Sequence, residues 1–160
     1  MTSLEHRCRL YLISPAKIDA GAFARDLEAA LSAGDVACFQ LRLKGCGDED
    51  IFKASEVLLP VCRKHDVPFL LNDNPGLARD AGADGVHLGQ DDGAVEDARV
   101  QLGFDAMIGV TCHNSRHLAF LAGDAGADGG ECDADAGDGR RAGRGRLGAA
   151  RPRDRRAGRG

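Results

Sequence analysis

The 160-residue sequence has no tryptophan and one tyrosine, and aromatic residues make up 4% of it. It has no run near the roughly 20 apolar residues that a membrane span needs, and its first residues lack the apolar core of a signal peptide. Neither charge predominates, because 25 acidic residues stand against 21 basic ones. These absences argue against a membrane protein and against a basic nucleic-acid-binding domain, so we expect a cytoplasmic protein.

The cysteines show no metal-binding pattern. No CxxC pair occurs among the six of them, which are Cys8, Cys38, Cys46, Cys62, Cys112 and Cys132. Scattered cysteines fit reduced, packed thiols better than zinc ligands or a disulfide framework.

Through residue 128, short apolar runs alternate with longer segments whose apolar residues recur at helical spacing. The runs predict strands at 9–14, 36–43, 68–72, 85–88 and 107–111. The periodic segments predict helices at 20–33, 48–64, 75–81, 93–102 and 115–125, the last of them capped by Ser115. Five strand–helix units in succession predict a parallel sheet with right-handed crossovers.

Polar residues at the strand ends favour a barrel over an open doubly wound sheet. They follow four successive strands: Gln40, Arg42, Lys44, Asn72, Asp73, Gln90, Asp91, Asp92, Thr111 and His113. Barrel enzymes collect their active-site residues at this face from many strands, whereas an open sheet collects them at one switch point. The sequence therefore predicts an α/β fold, part of a TIM (β/α)₈ barrel, over residues 1–128.

The chain changes character after Asp128. Residues 129–160 hold nine Gly, nine Arg and six Ala but one Leu and no aromatic residue. Such a segment cannot bury an apolar face, so we expect a disordered, low-complexity tail. A barrel would instead begin a sixth strand at residue 129, because the AGAD at 125–128 repeats the AGAD at 81–84 that precedes a strand. Our hypothesis is a frameshift near codon 129; an RGG-like nucleic-acid tail is the competing interpretation, which the lack of aromatic residues disfavours.

Two groups of strand-end residues suggest chemistry. Gln40, Arg42 and Lys44 alternate along a strand, so their side chains share one side and could bind a phosphate, although a solvated strand end explains them equally well. Asp73 and Asp92 supply hard oxygen ligands of the kind that Mg²⁺ needs beside a diphosphate. A single Asp after a strand is more often a turn or cap residue, which is the interpretation we prefer for Asp91.

The fifth strand ends in a hydroxyl and an imidazole. Thr111 could donate to a phosphate oxygen, and His113 could donate or exchange a proton, although a structural, hydrogen-bonded histidine fits as well. For His87, inside the apolar run GVHLG, we expect a barrel-interior position, and for Cys112 a packing position.

Three motifs together resemble the thiamine phosphate synthase family. They are QLRLK at 40–44, LLNDNPGLARDAGADGVHLGQDD at 70–92 and IGVTCH at 108–113. The resemblance covers about residues 9–128. It implies a transferase of thiamine biosynthesis that joins 4-amino-2-methyl-5-hydroxymethylpyrimidine diphosphate to thiazole phosphate, with release of pyrophosphate.

The resemblance also implies roles for individual residues. It assigns pyrimidine diphosphate binding to Gln40, Leu41, Arg42, Leu43, Lys44, Asn72 and Thr111. Of these, Arg42, Lys44 and Thr111 would act on the reacting diphosphate, which needs charge neutralisation rather than a general base. Asp73 and Asp92 would hold the Mg²⁺ cofactor.

The sequence departs from the family after its fifth unit. The Thr-x-Thr-Lys segment that helps the family hold thiazole phosphate does not follow the fifth unit here, so we expect impaired or no activity from this chain. A thiazole tautomerase-like barrel is an alternative, but the basic trio and the Asp pair would be superfluous there. A non-enzymatic fragment with a weakly nucleic-acid-binding tail is the other alternative, and the sequence leaves homo-oligomer formation open.

The frameshift hypothesis predicts a specific sequencing result. Resequencing the coding DNA across codons 120–135 should reveal a single-base change that restores a sixth strand and a Thr-x-Thr-Lys segment. An intact reading frame would contradict the hypothesis.

Overall fold

Six parallel strands and five helices alternate along the described part of this computed structural model, residues 9–113 and 115–131. The strands are β1 (Leu10–Ile13), β2 (Val36–Leu41), β3 (Phe69–Asn72), β4 (Gly85–Leu88), β5 (Met107–Thr111) and β6 (Gly129–Glu131). The helices are α1 (Ala20–Ala33), α2 (Asp48–Lys64), α3 (Pro75–Asp80), α4 (Val95–Leu102) and α5 (Arg116–Asp124). The predicted order of elements is therefore confirmed.

The six strands form one sheet in the order β1-β2-β3-β4-β5-β6, with every neighbouring pair parallel. A flat sheet would hold β1 and β4 about 14 Å apart, three strand spacings, and side chains stand roughly perpendicular to a sheet. Yet Oη of Tyr11 on β1 lies 3.0 Å from Nδ1 of His87 on β4. The sheet is therefore curved, and its sequential order is that of a half-barrel rather than a doubly wound fold.

The helices begin in two alternating ways. A side chain caps each odd-numbered helix by accepting the backbone N–H three residues ahead: Asp19 for α1, Asn74 for α3 and Ser115 for α5. The helices α2 and α4 have no side-chain cap but carry acidic residues in their first turns. Both devices offset the partial positive charge of a helix N-terminus.

The core lies between the sheet and its helices. Strand residues on the helix-facing side are buried there: Phe39, Leu41, Phe69, Leu71, Val86, Leu88, Ile108 and Val110. The Phe39 ring packs between Phe23 of α1 and Phe69 of β3, at centroid distances of 6.1 and 5.6 Å. Each such large side chain contributes about 1.5–3 kcal/mol by leaving water. Intervening strand residues, which alternate with this set, face the concave side of the sheet.

The sequence Ala-Gly-Ala-Asp occurs twice, ending in Asp84 and Asp128, and both copies tie a new strand to the strand before it. The Asp84 carboxylate accepts the Phe69 N–H at 2.9 Å, and the Asp128 carboxylate accepts the Ile108 N–H at 2.9 Å. The glycine of each copy has a positive φ, +69° and +90°, which a glycine adopts at little cost. The repeat therefore marks the turn from a helix into the next strand.

Strand β6 corrects the sequence-based boundary, because it extends three residues beyond Asp128. Its pairing with β5 uses backbone groups, so the lack of apolar side chains in this segment did not prevent a strand. Arg99 of α4 supports the same turn by donating to the Gly126 carbonyl at 2.7 Å and to the Asp128 carboxylate at 3.1 Å. The rest of the predicted disordered tail, residues 132–160, lies outside the described residues.

Other predicted features differ in smaller ways. Strand β2 ends at Leu41 rather than residue 43, because Lys44 turns away and donates its backbone N–H to the Ala16 carbonyl at 3.1 Å. Cys38, Cys62 and Cys112 are buried, as expected for packed thiols, while Cys46 is half-buried. Cys8 and Cys132 lie outside the described residues.

Among the described helices, none combines the length and apolarity that crossing a bilayer takes.

His87 occupies the barrel-interior position that the sequence predicts, with 3% of its surface exposed. Its imidazole lies over Gly109 of β5, where a Cβ atom would come within 2.6 Å of Nδ1. Burial lowers the pKa of His87 to about 4, and the nearby Arg42 charge adds to this effect, although Asp92 opposes it. The ring is therefore neutral at neutral pH.

This burial predicts a pH dependence of stability. Below about pH 6.5 the unfolded chain protonates His87 while the folded chain does not until about pH 4, so His87 should weaken folding progressively as pH falls through that range. The full effect is about 3 kcal/mol at one pKa unit per 1.36 kcal/mol. Urea unfolding of the wild type and His87→Gln between pH 7 and pH 4 measures it, since the comparison cancels other titrating groups. Equal pH dependence in the two proteins would contradict it.

Candidate active site

The predicted site residues lie where β2 to β5 end. Arg42 directly follows β2, Asn72 ends β3 and Asp73 follows it, and Thr111 ends β5. Asp92 lies in the loop between β4 and α4. Because the strands are parallel, these ends share one edge of the sheet, the face on which barrel enzymes place their active sites.

Gln40 and Asn72 form the buried floor of the site. Gln40 is 1% exposed, and its Nε2 donates to Oδ1 of Asn72 at 2.6 Å. Each of these polar groups would cost free energy if it were buried without a partner. The pair therefore holds two amide groups in fixed orientations at the ends of neighbouring strands.

Asp73 and Asp92 bring two carboxyl groups into hydrogen-bonding contact from different loops. Burial, the contact with Asp92 and the Asp92 charge together raise the pKa of Asp73 to about 6, against a smaller lowering by Arg42 and Asn72. Two carboxylates this close repel each other unless a proton or a cation lies between them. In residues 9–113 and 115–131, no cluster of three or more His, Cys, Asp or Glu side chains suited to a metal is found.

The backbone holds both carboxyl groups in place. Asp92 accepts the Gly89 N–H at 2.7 Å, and a Cβ atom on Gly89 would lie 2.6 Å from the same Asp92 oxygen. Asp73 has a φ of +67°, an uncommon value for a residue with a side chain, and donates its N–H to the His87 carbonyl at 2.8 Å. Such backbone strain is found at functional sites, where the surrounding structure maintains it.

The end of β5 carries a hydrogen-bonded hydroxyl. Thr111 Oγ1 lies 2.9 Å from Nε2 of His87, and the Thr111 carbonyl accepts a hydrogen bond from Nε2 of Gln90. His113 is exposed and has a φ of +48°, so it follows β5 in the way that Asp73 follows β3. Asp91 is exposed in the turn before α4, as the sequence predicts.

Arg42 is the cation that the structure brings to the carboxyl pair. Its backbone N–H donates to Oγ of the buried Ser14 at 2.9 Å, which ties it to the end of β1. Its guanidinium is close enough to oppose the raised pKa of Asp73 and to lower the pKa of His87. The Arg42 charge therefore acts both on the carboxyl pair and on His87 in the interior of the barrel.

The other predicted members of the QLRLK segment lie elsewhere. The side chain of Leu41 is 1% exposed in the core, and Leu43 packs against the same core, so binding by these two residues could use only their backbone. Lys44 is exposed beyond the strand, and within the described residues its ammonium group forms no salt bridge. The expected convergence of all three polar side chains holds for Gln40 and Arg42.

Two residues at this site escaped the sequence analysis. Tyr11 reaches across the concave face, with its Oη 3.4 Å from Oε1 of Gln40 and 3.0 Å from Nδ1 of His87. Ser14 fixes the backbone of Arg42. The sequence feature that could have identified Tyr11 is its position in the first strand as the one tyrosine of the chain.

A family model described as thiamine monophosphate synthase matches residues 10–129. The curated thiamine-phosphate synthase of Rhodospirillum centenum is 59% identical over 121 residues, which cover 76% of this chain and 58% of that protein. The one from Erythrobacter litoralis is 52% identical over 130 residues, covering 80% of this chain and 61% of that protein. The chain thus spans about three-fifths of the length of these relatives.

A solved structure supports the same assignment. The thiamine phosphate pyrophosphorylase of Pyrococcus furiosus aligns with a TM-score of 0.67 at 26% identity, covering 78% of this chain and 59% of that one. Its similarity extends the sequence match to the arrangement of strands and helices. By its motifs, its half-barrel and these relatives, this chain belongs to the thiamine monophosphate synthase family.

Proposed function

We propose that the described residues form the pyrimidine diphosphate half of a thiamine phosphate synthase active site. The full reaction would join hydroxymethylpyrimidine diphosphate to thiazole phosphate and release pyrophosphate. One observation carries the proposal: the carboxyl groups of Asp73 and Asp92 and the Arg42 guanidinium are close enough to act on one another, at the sheet edge that also carries the Gln40–Asn72 pair. Alternating acidic and basic groups around a polar floor suit a bound diphosphate.

The donor chemistry of the carboxyl pair fits Mg²⁺. Magnesium is typically held by one or two carboxylates, with waters and substrate phosphates as its other ligands. Asp73 and Asp92 would hold it; burial raises the pKa of Asp73, and the neighbouring Asp92 raises it further by a repulsion that a cation would relieve. When bound, the ion would neutralise negative charge on the departing pyrophosphate.

The remaining residues would hold the substrate in place. Gln40 and Asn72, with their amides fixed by one hydrogen bond, would orient the pyrimidine ring. Arg42 and Lys44 would neutralise the diphosphate, Arg42 from a half-buried position and Lys44 from an exposed turn that must fold over the ligand. Thr111 would donate its hydroxyl proton to a substrate oxygen. None of these roles requires a general base, since the carbon–oxygen bond breaks as the leaving group gains stabilised charge.

The complete barrel and the thiazole phosphate site belong to the proposal too. The six strands would form the first six of a (β/α)₈ barrel, and the proposed site residues from Gln40 to Thr111 all lie within β2 to β5 or their following loops. Because the proposed substrates are soluble phosphate esters, we propose a cytoplasmic setting.

Diphosphate binding provides the direct test. In isothermal titration calorimetry, hydroxymethylpyrimidine diphosphate should bind the full chain with Mg²⁺ and lose its affinity when EDTA removes the metal. Asp92→Ala and Arg42→Ala should each abolish measurable binding, because a loss of the charge-assisted contacts leaves the remaining charges unmatched.

Matched variants separate specific from general charge effects. Asp91→Ala removes a neighbouring carboxylate from the exposed turn, and Arg79→Ala removes a guanidinium from the surface of α3, so both should retain binding. Binding that survives both Asp92→Ala and Arg42→Ala would refute the proposed function.

Gly89→Ala tests the placement of Asp92 without removing its charge. The new Cβ would force the Asp92 carboxylate away from its present position and should weaken Mg²⁺-dependent binding roughly 10- to 100-fold, as losses of ligand-orienting contacts do. Thermal unfolding should change little, because the displaced atom ends a side chain. Gly123→Ala, which meets nothing within 4 Å on α5, is the control. Unchanged affinity in Gly89→Ala would show that the Gly89 contact does not position Asp92 for binding.

A further inference from the structure

The segment that carries the two basic residues of the proposed site continues beyond its strand. Strand β2 pairs with β3 as far as Leu41. Past that point, two hydrogen bonds join the segment to the loop between β1 and α1. The Arg42 N–H donates to Ser14 Oγ at 2.9 Å. The Lys44 N–H donates to the Ala16 carbonyl at 3.1 Å. The β1–α1 loop therefore holds the backbone from which both basic side chains extend.

The Ser14 hydroxyl takes a place in the sheet pairing that a backbone carbonyl would otherwise take. The Ser14 N–H donates to the Gln40 carbonyl at 2.9 Å, as in a regular parallel pair. The same pattern would next direct the Arg42 N–H to the carbonyl of Ser14. The Arg42 N–H goes to the hydroxyl instead, so the pairing of β1 with β2 continues one step further through a side chain.

The directions of the two hydrogen bonds at the Ser14 hydroxyl are fixed by their partners. A backbone N–H can only donate, so Ser14 Oγ is the acceptor in its bond with Arg42. A carbonyl can only accept, so the hydroxyl proton is the donor to the Pro15 carbonyl, which lies 3.1 Å from Oγ. Ser14 is 7% exposed, which limits the access of water that could replace the hydroxyl. A side chain without a hydroxyl would therefore leave the Arg42 N–H without this partner.

The position of the Arg42 backbone matters because of what its side chain reaches. The guanidinium is close enough to the Asp73 carboxyl group and to the His87 ring for its charge to act on both. Leu43, the next residue, packs against the core on the other side of the segment. A shift of the backbone at this point would therefore move the guanidinium relative to the carboxyl pair.

We propose that Ser14 is a positioning residue for the diphosphate substrate, whose hydroxyl fixes the Arg42 backbone so that the guanidinium meets the bound diphosphate beside the metal-binding carboxyl groups. The inference rests on the proposed function and deepens it. Ser14 acts through Arg42 and does not itself contact the substrate. Because the Arg42 backbone is fixed before the ligand arrives, less ordering is left to be done on binding.

Amide hydrogen exchange tests the Ser14–Arg42 contact without any ligand. In the full chain, NMR should show an Arg42 N–H protected from exchange, since its acceptor is buried. Ser14→Thr, which keeps a hydroxyl, should retain this protection, and Ser14→Val, which has the same shape without the hydroxyl, should lose it. The Lys44 N–H, which donates to the Ala16 carbonyl, should stay protected in all three proteins. An unprotected Arg42 N–H in the wild type, or equal protection in the two variants, would overturn the inference.

The same pair of variants tests the consequence for binding. With Mg²⁺ present, Ser14→Val should weaken the affinity for hydroxymethylpyrimidine diphosphate roughly tenfold, about the worth of one hydrogen bond to a charged group. Ser14→Thr should bind like the wild type. Ser55→Ala, which removes a buried hydroxyl that donates to the Ile51 carbonyl within α2, should leave the affinity unchanged. Equal affinities of Ser14→Thr and Ser14→Val would contradict a positioning role for the hydroxyl.

Two further comparisons separate this role from a general loss of structure. Loss of protection at both Arg42 and Lys44 in Ser14→Val would show that the whole loop opens, and would overturn the specific role of the hydroxyl. Should Ser14→Val fail to fold, the smaller Ser14→Ala replaces it in the comparison with Ser14→Thr. A wild-type chain that fails to bind the diphosphate would overturn the proposed function, while hydrogen exchange would still decide whether Ser14 holds the Arg42 backbone.

Discussion

The site depends on the requirement that polar groups on the concave face of the sheet satisfy one another. In an interior of low dielectric constant, an unpaired amide or ring nitrogen costs more free energy than a typical hydrogen bond returns. Among the described residues, every buried side-chain nitrogen and oxygen has a hydrogen-bond partner. This requirement links five strands through Asn72, Gln40, Tyr11, His87 and Thr111.

The carboxyl pair differs, because Asp73 and Asp92 repel each other when both are ionised. Asp73 is held by a strained backbone and Asp92 by the Gly89 N–H, so neither carboxyl group can relax away cheaply. Burial, followed by the contact with Asp92 and the Asp92 charge, raises the pKa of Asp73 to about 6. The hydrogen-bonded side chains of the concave face thus lie beside two carboxyl groups that repel each other. Binding of a cation between these carboxyl groups would stabilise the folded protein.

Much of this fold could be read from local sequence patterns, because those patterns have local causes. The bounds of α1 and α2 agree with the prediction, since apolar spacing determines both, with the Asp19 cap at the start of α1 and acidic residues in the first turn of α2. The predicted end of β2 was two residues too late, because the alternation in QLRLK continues past the point where backbone pairing stops. The segment of the short strand β6, whose start the second AGAD marks, was assigned to the tail for its lack of apolar side chains, whereas pairing to β5 requires only backbone groups and the Asp128 anchor.

The site was predictable at the strand ends but not across the barrel. Arg42, Asp73 and Thr111 follow from the rule that parallel strands end at a common edge, whereas Tyr11 and His87 are 76 residues apart and meet through curvature alone. The strands that carry the site residues also differ in how many neighbouring strands hold them in place. Strands β2 to β5 have neighbours on both sides, while β1 is an edge of the described sheet and carries Tyr11. Any loosening of β1 would therefore move Tyr11 away from Gln40 and His87, whereas β3 and β5, which carry Asn72 and Thr111, are each held by a neighbour on both sides.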